Sequence, residues 1–442
     1  MRFVAADVSL PNLHDDALIV DSATFTPKHV SDLWRRLGHS VSSSDFAHGK
    51  YRKQSMVFGG RVFLDANHNI MLHSALISYG NEDKAAWKKL NDETNNGNRS
   101  YDARGTMDIS DMDKGADAAF PESFRHAGHL FDVLHRKKAI AKIRKSKGGG
   151  SDAVDWFTRA HSSRSIQELE HTKAQMPVKT AALLENIPDA NQYPIAAADA
   201  GRNGIVSSSY SESWNRAIKN PRAFPFAAAF KEVVVSESGR FRKAQGDAAG
   251  CRANLPPRVH EDCSPFQHAS SRIDTSKVTF MNLDKTVALV PRCNGTSQMA
   301  KVDLAEAKTG GPGACDVLCM SVSMYPCPHV LAAAAAKGMG IMAIINPKLT
   351  AQNWKQQYED LDFPLPSAAD VEKHSGLINR NICLPPAFKR PKGRPRSLKR
   401  QKGFMEKPFT KKRKMTCQIC YAKGHTKKNC PNEAAIAATI VS

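Results

Sequence analysis

No run of 18 apolar residues occurs anywhere in the 442 positions of this chain. That leaves no segment expected to cross a bilayer as a helix. The first residues also lack the basic-then-apolar pattern of a secretory leader. Cysteine is sparse: there are ten, six of them before Cys383, and three of those six lie close to a histidine. Such usage points to metal binding in a reducing compartment and excludes a disulfide framework. Acidic side chains are nearly missing from 387–442, which holds 2 Asp/Glu against 16 Lys/Arg, a net of +14 out of the whole chain's +20. The basicity therefore belongs to a tail. The full chain is 41% hydrophobic, enough for two or three folded domains. The expectation is a nuclear protein with a folded body, a basic tail and no membrane partner.

The tail carries two patterns. Cys417, Cys420, His425 and Cys430 read C-x2-C-x4-H-x4-C, the spacing of a zinc knuckle. Three thiolates and an imidazole fill a tetrahedral shell and leave no open position for chemistry, so the zinc is structural. Knuckles mostly grip single-stranded or distorted nucleic acid. Upstream, Arg390, Lys392, Gly393, Arg394, Pro395 and Arg396 form an AT-hook pattern, in which proline keeps the segment extended and arginines suit the narrow minor groove of A·T-rich DNA. Short basic runs are often plain linkers or nuclear localisation signals, and Lys411–Lys414 reads as one. Hook beside knuckle favours DNA.

The first quarter alternates strand and helix signals. Ala17–Val20 is a short apolar run ending at Asp21, and a polar, serine-rich stretch follows from Ser40 to Ser55. Gly60–Asp65 and Ile70–Ser78 predict a hairpin turning at Asn67–Asn69. Asn81 is the expected cap of a helix with Ala86, Trp87 and Leu90 on one face. Gly105–Ser110 predicts a further strand ending at Asp111, then come a helix with Ala116, Ala119 and Phe120 and a last strand signal within Ala127–Leu134. The pattern is that of an α/β or mixed-sheet domain. Asp21 and Asp111 each follow a strand, where most aspartates are ordinary turn or cap residues.

Several runs together resemble Mutator-like transposases. Gly59–Ile70 (GGRVFLDANHNI) and Ala75–Trp87 (ALISYGNEDKAAW) are similar to that family's hairpin and first helix. Ile109–Gly115 resembles the segment of its second catalytic aspartate, His129–His135 its Cys/Asp-x2-His motif with Asp132 and His135, and Ser207–Asn215 the segment with its acidic third member. The resemblance implies an RNase H-like, retroviral-integrase-like catalytic domain of α/β class with a helical insertion. It also implies a triad of Asp21, Asp111 and Glu212 and DNA strand cleavage and transfer with Mg²⁺ or Mn²⁺. Two divalent ions held by carboxylates would activate the nucleophile and stabilise the leaving oxygen. Asp132 and His135 would position substrate, make a supporting hydrogen bond or only stabilise the last strand. Implied partners are transposon ends and target DNA, with a homo-oligomer as the active form.

A second zinc site is expected at Cys315, Cys319, Cys327 and His329, which resemble a SWIM finger whose first cysteine sits two residues early, with Val317 in its place. Cys315 would either reach the metal through a looser turn or leave the site crippled. Trp354, Tyr358, Leu361 and Pro364–Pro366 follow the transposase pattern downstream. Arg136–Lys147 holds seven Lys/Arg before three glycines, either a solvated linker or a clamp on the DNA backbone.

The expected organisation is a catalytic first part over 1–135, a helical insertion over 136–204, the end of the catalytic domain over 205–250 and a SWIM region over 275–345. A connector over 346–386, a hook-bearing tail over 387–414 and the knuckle over 415–432 would follow. Family members generally begin with a domain that recognises transposon ends, and no such pattern precedes Asp21 here. Two expectations follow: an N-terminally truncated transposase, or a domesticated, catalytically idle DNA-binding protein derived from one.

Overall fold

The computed structural model describes residues 2–4, 18–19, 22–27, 29–37, 41–51, 54–111, 114–147, 152–163, 166–185, 187–196, 208–292, 298–309, 314–317, 325–363 and 383–384. All of these belong to the first of two compact units, Met1–Pro391. The hook, the Lys411–Lys414 run, the knuckle, Asp21, Cys319 and Pro364–Pro366 lie outside the described residues.

The protein is α/β, built on a mixed seven-stranded sheet. Its strands are β1 (Arg2–Val4), β3 (Ser22–Thr26), β4 (Val41–Tyr51), β5 (Gln54–Leu64), β6 (Ile70–Tyr79), β7 (Met107–Ser110) and β8 (Gly128–Phe131). The order across the sheet is β1-β3-β6-β5-β4-β7-β8. Strands β4, β5 and β6 run antiparallel as two successive hairpins, whereas β7 and β8 are parallel to β4. A separate two-residue ladder joins β2 (Leu18–Ile19) to β12 (Cys383–Leu384), so the expected first strand at Ala17–Val20 contributes there and not to the main sheet.

The serine-rich stretch is the main departure from expectation. It forms β4, an 11-residue strand in the middle of the sheet. Its serines are buried, but each has a partner: Ser42 and Ser44 donate to Asp108 at 2.6 Å, and Ser43 bonds Ser211 at 2.7 Å. Hydrogen bonding inside the fold replaces the apolar alternation that normally marks a strand.

Helices cover both faces of the sheet. On one side lie α2 (Lys84–Gly97) and α3 (Lys114–Ser123). Asp83, not Asn81, caps α2, accepting from the backbone of Ala86 at 2.9 Å. Ala86, Trp87 and Leu90 are buried as expected. Under this layer Arg61 meets Asp108 at 3.0 Å, both side chains fully buried, and also donates to Thr94 and Asn91 of α2. Burial pushes the Asp108 carboxyl up, but the Arg61 charge and the donors from Arg61, Ser42 and Ser44 outweigh it and hold it below its ordinary value.

The opposite face is covered by α9 (Ser209–Ala217) and α10 (Phe226–Gly250). Trp214 of α9 packs directly over Gly60, where a Cβ would come within 2.3 Å of the indole. At its polar edge the same indole donates to Glu237 of α10 at 2.9 Å.

Between β8 and α9 the described chain is helical: α4 (Val133–Lys147), α5 (Ala153–His161), α6 (Ile166–Ala174), α7 (Val178–Leu184) and α8 (Asp189–Gln192). Phe157, Leu169, Leu184 and Tyr193 give it a core of its own. The basic segment after His135 is thus a helix through Lys147. Arg136 turns inward to Gln192, and Lys138 and Lys142 face solvent.

Downstream, α11 (Pro257–Ser270) leads to a three-stranded sheet of β9 (Thr279–Phe280), β10 (Val287–Pro291) and β11 (Met299–Asp303). After it come α12 (Leu304–Thr309) and α13 (Pro328–Ala336), which share a small core. Helix α14 (Ala351–Tyr358) returns to the main sheet. Trp354 and Tyr358 both donate to Asp65 at 2.8 Å in the β5–β6 turn. The turn itself needs a left-handed residue, supplied by His68 at φ 59°, with α1 (Val30–Leu37) also packed into this core.

Candidate active site and metal centres

Two carboxylates lie within electrostatic reach of each other. The parallel β4–β7 ladder runs to Ser43 opposite Ile109; Asp45 continues β4, Asp111 follows β7, and the Asp111 charge acts on Asp45. Helix α9 covers β4 there. Ser211 meets Ser43, Asn215 donates to Asp45 Oδ2 at 2.7 Å, and Glu212 lies on the helix between them.

The electrostatics match this placement. Burial, and next the Asp111 charge, push the Asp45 carboxyl up to about 7, with Glu212 adding to the rise and the Phe46 N–H and Asn215 opposing it. Burial also raises Asp111, against the pull of His135. Both are half-buried, and the mutual repulsion of like charges there is a cost that an added cation would relieve.

Asp132 and His135 join the same cluster. His135 Nδ1 lies 2.9 Å from both Asp111 Oδ1 and Asp132 Oδ1. Ser208, at the start of α9, donates its N–H to Asp132 Oδ2 at 2.6 Å and its hydroxyl to Asp111 at 3.2 Å. Burial would raise Asp132, but the His135 and Ser208 backbone N–H groups and the His135 ring hold it low. One ligand atom each from Asp111, Asp132 and His135 lie within 4.8 Å of one another, a set able to hold a metal ion.

Of the expected triad, Asp111 and Glu212 converge and Asp21 has no demonstrated place. Asp21 itself is outside the described residues. Asp45, which has no place in the expected triad, lies on β4 within electrostatic reach of Asp111 and Glu212. The signal for it was weak, a polar strand in which no apolar residue occurs between Val41 and Phe46.

A scan against protein-family models and a search of curated proteins both return no match for this chain. Its reading rests on its own residues.

A second centre lies at the edge of the small sheet. Cys315, Cys327 and His329 bring one ligand atom each within 4.8 Å of one another, all three buried. Cys315 Sγ is 3.8 Å and Cys327 Sγ 4.0 Å from His329 Nδ1. An isolated bridge between Val302 and Cys315 draws the early cysteine onto β11, so its displaced position in the sequence does not displace it in space. The Val317 N–H donates to Cys315 Sγ at 3.4 Å, the kind of contact that supports a metal-bound thiolate. The hydrogen bond with Cys315, together with burial, raises the Cys327 thiol. Two thiols and an imidazole suit zinc chemically. Cys251 and Cys263 are free thiols that are not part of this ligand group, and burial pushes Cys263 up to about 12.

Proposed function

We propose that the protein is a Mutator-like transposase that cuts and joins DNA, with Asp45, Asp111 and Glu212 as its catalytic carboxylates. The reading is supported by Asp45 on β4, Asp111 after β7 and Glu212 on α9 lying within electrostatic reach of one another, with α9 tied to β4 by the Ser211–Ser43 and Asn215–Asp45 hydrogen bonds. The strands β6-β5-β4-β7-β8, antiparallel then parallel, are in the order and sense that an RNase H-like core requires.

Carboxylate oxygens are the hard ligands that Mg²⁺ and Mn²⁺ prefer, so the residues present fit the implied cations. Bound there, the cations would supply activation of the attacking hydroxyl and charge stabilisation on the leaving oxygen. The remaining roles belong to the chain. Asp45 on β4 and Asp111 just after β7 set the spacing of the site. Glu212, on a helix anchored by Trp214, closes it from above. His135 holds Asp111 and Asp132 together through a shared ring nitrogen. The exposed Lys138 and Lys142 of α4 lead away from the site and offer charge to a DNA backbone.

Cys315, Cys327 and His329, with Cys319, would hold a structural zinc. The hook and knuckle would add DNA grip, and a nuclear location fits that partner. No described helix is long and apolar enough to cross a membrane.

The test is Mn²⁺- and Mg²⁺-dependent cleavage and strand transfer on DNA from the ends of the protein's own locus. Wild type is run beside Asp111→Ala, with gel-shift binding on the same oligonucleotides. Metal-dependent products that vanish in the variant support the transposase. Equal binding by both proteins with no product from either contradicts it and leaves an idle DNA-binding descendant.

A further inference from the structure

Asn215 has a peculiarity that the triad does not explain. Its side chain is 7% exposed, and its Nδ2 donates to Asp45 Oδ2 at 2.7 Å. With Asp45 ionised, as a cation would hold it, its carboxylate can only accept, so the amide nitrogen faces Asp45 and the carbonyl oxygen faces away from it. That oxygen, Oδ1, is buried and has no hydrogen-bond partner among the described residues. A buried acceptor left unmatched costs stability, so it calls for a missing donor or cation. Covalent geometry keeps Oδ1 within about 5 Å of Asp45 Oδ2, which confines the missing group to the surroundings of the carboxylate pair.

Position on the helix adds to this. Ser211 and Asn215 are one turn apart on α9, and they bond Ser43 and Asp45, which are one pleat apart on β4. The two contacts clamp α9 onto β4 with Glu212 between them. An amide oxygen is a hard, neutral ligand of the kind found around divalent cations, either bound directly or accepting from a bound water.

We infer that Asn215 is a further member of the cation site, its Nδ2 holding Asp45 and its Oδ1 entering the shell of the cation that Asp45 binds. The inference rests on the metal-dependent reading above and adds a residue and a role to it.

Mn²⁺ binding to the full chain, followed by the loss of the free-ion electron paramagnetic resonance signal, tests it without relying on activity. Wild type, Asp45→Asn, Asn215→Leu and Asn215→Asp are compared, each shown to be folded by its melting curve. Asp45→Asn should lose a binding event. Asn215→Leu, close in shape but without the oxygen, should weaken Mn²⁺ about 10–100-fold. Asn215→Asp, which keeps an oxygen and loses the donor, should stay within a few-fold of wild type or bind more tightly.

Unchanged affinity in Asn215→Leu overturns the inference, as does equal weakening in the Leu and Asp variants, which would make Asn215 only a prop for Asp45. If Asn215→Leu does not fold, the Asp variant decides alone, because loss of Mn²⁺ there contradicts a role for the oxygen. No Mn²⁺ binding by wild type overturns the metal-dependent reading itself, an outcome distinct from the other two.

Discussion

Gly60 and Trp214 illustrate how much of the site depends on single residues remote from the chemistry. A Cβ at position 60 would meet three indole carbons at 2.3, 2.4 and 2.8 Å, closer than any packed core tolerates. Because Trp214 lies two residues from Glu212 on α9, displacing the ring moves the third carboxylate. Gly60→Ala should therefore reduce Mn²⁺-dependent cleavage by more than its loss of thermal stability accounts for, measured as product formed per folded molecule. The other edge of the same indole leads to a pH effect. Burial raises Glu237 from 4.5 to about 6, with Arg240 and the Trp214 donor only partly opposing. A raised acid favours the folded state while it is protonated, so its stabilising share is complete below the unfolded value near 4.5 and is lost as pH rises to 6. The loss is about 2 kcal/mol, and Glu237→Gln should flatten that part of the stability–pH curve in urea titrations at pH 4.5 to 6.5.

At the scale of elements, legibility followed the apolar pattern. The β5–β6 hairpin, α2 and the short β7 were readable because their buried residues alternate or recur at helical spacing, as Ala86, Trp87 and Leu90 do. Strand β4 was not readable. Its inward groups are serines and an aspartate, and their burial makes sense only once Asp108, Ser211 and Asn215 are seen to pair with them. Asp45 escaped notice for the same reason, since this member of the proposed site sits in the strand that least resembles one. Helix α4 was also obscured, because its charge masked a continuous helix through Lys147. The Cys315 group had the opposite history, imperfect in spacing and yet assembled in space by the Val302 bridge. Cys315→Ser should lower bound zinc per chain and the melting temperature together. Cys251→Ser, outside that group, should leave zinc content unchanged, with metal analysis on the purified protein as the readout.

For the whole molecule, charge is divided between units. The segment 387–442 carries +14 of the net +20, nearly all of it in the second compact unit, Lys392–Ser442. Affinity that comes from counterion release falls steeply with salt, roughly in proportion to the phosphates neutralised. A chain ending at residue 386 should bind DNA more weakly at physiological salt and show a shallower dependence of log Kd on log salt. It should still cleave at low salt, because the carboxylates lie in the first unit. Gel-shift titrations from 50 to 200 mM salt, the range over which such contacts dominate, separate the two behaviours.

In the proposed site Asp45 of β4 and Asp111, just after β7, hold the catalytic cations. Single-turnover cleavage of a labelled DNA end in Mn²⁺, comparing Asp45→Asn, Asp111→Asn and Asp21→Asn with wild type at equal DNA occupancy, tests this most directly. The account predicts metal-dependent product from wild type and Asp21→Asn and background from the other two. Product from Asp45→Asn, or its loss in Asp21→Asn alone, would contradict it.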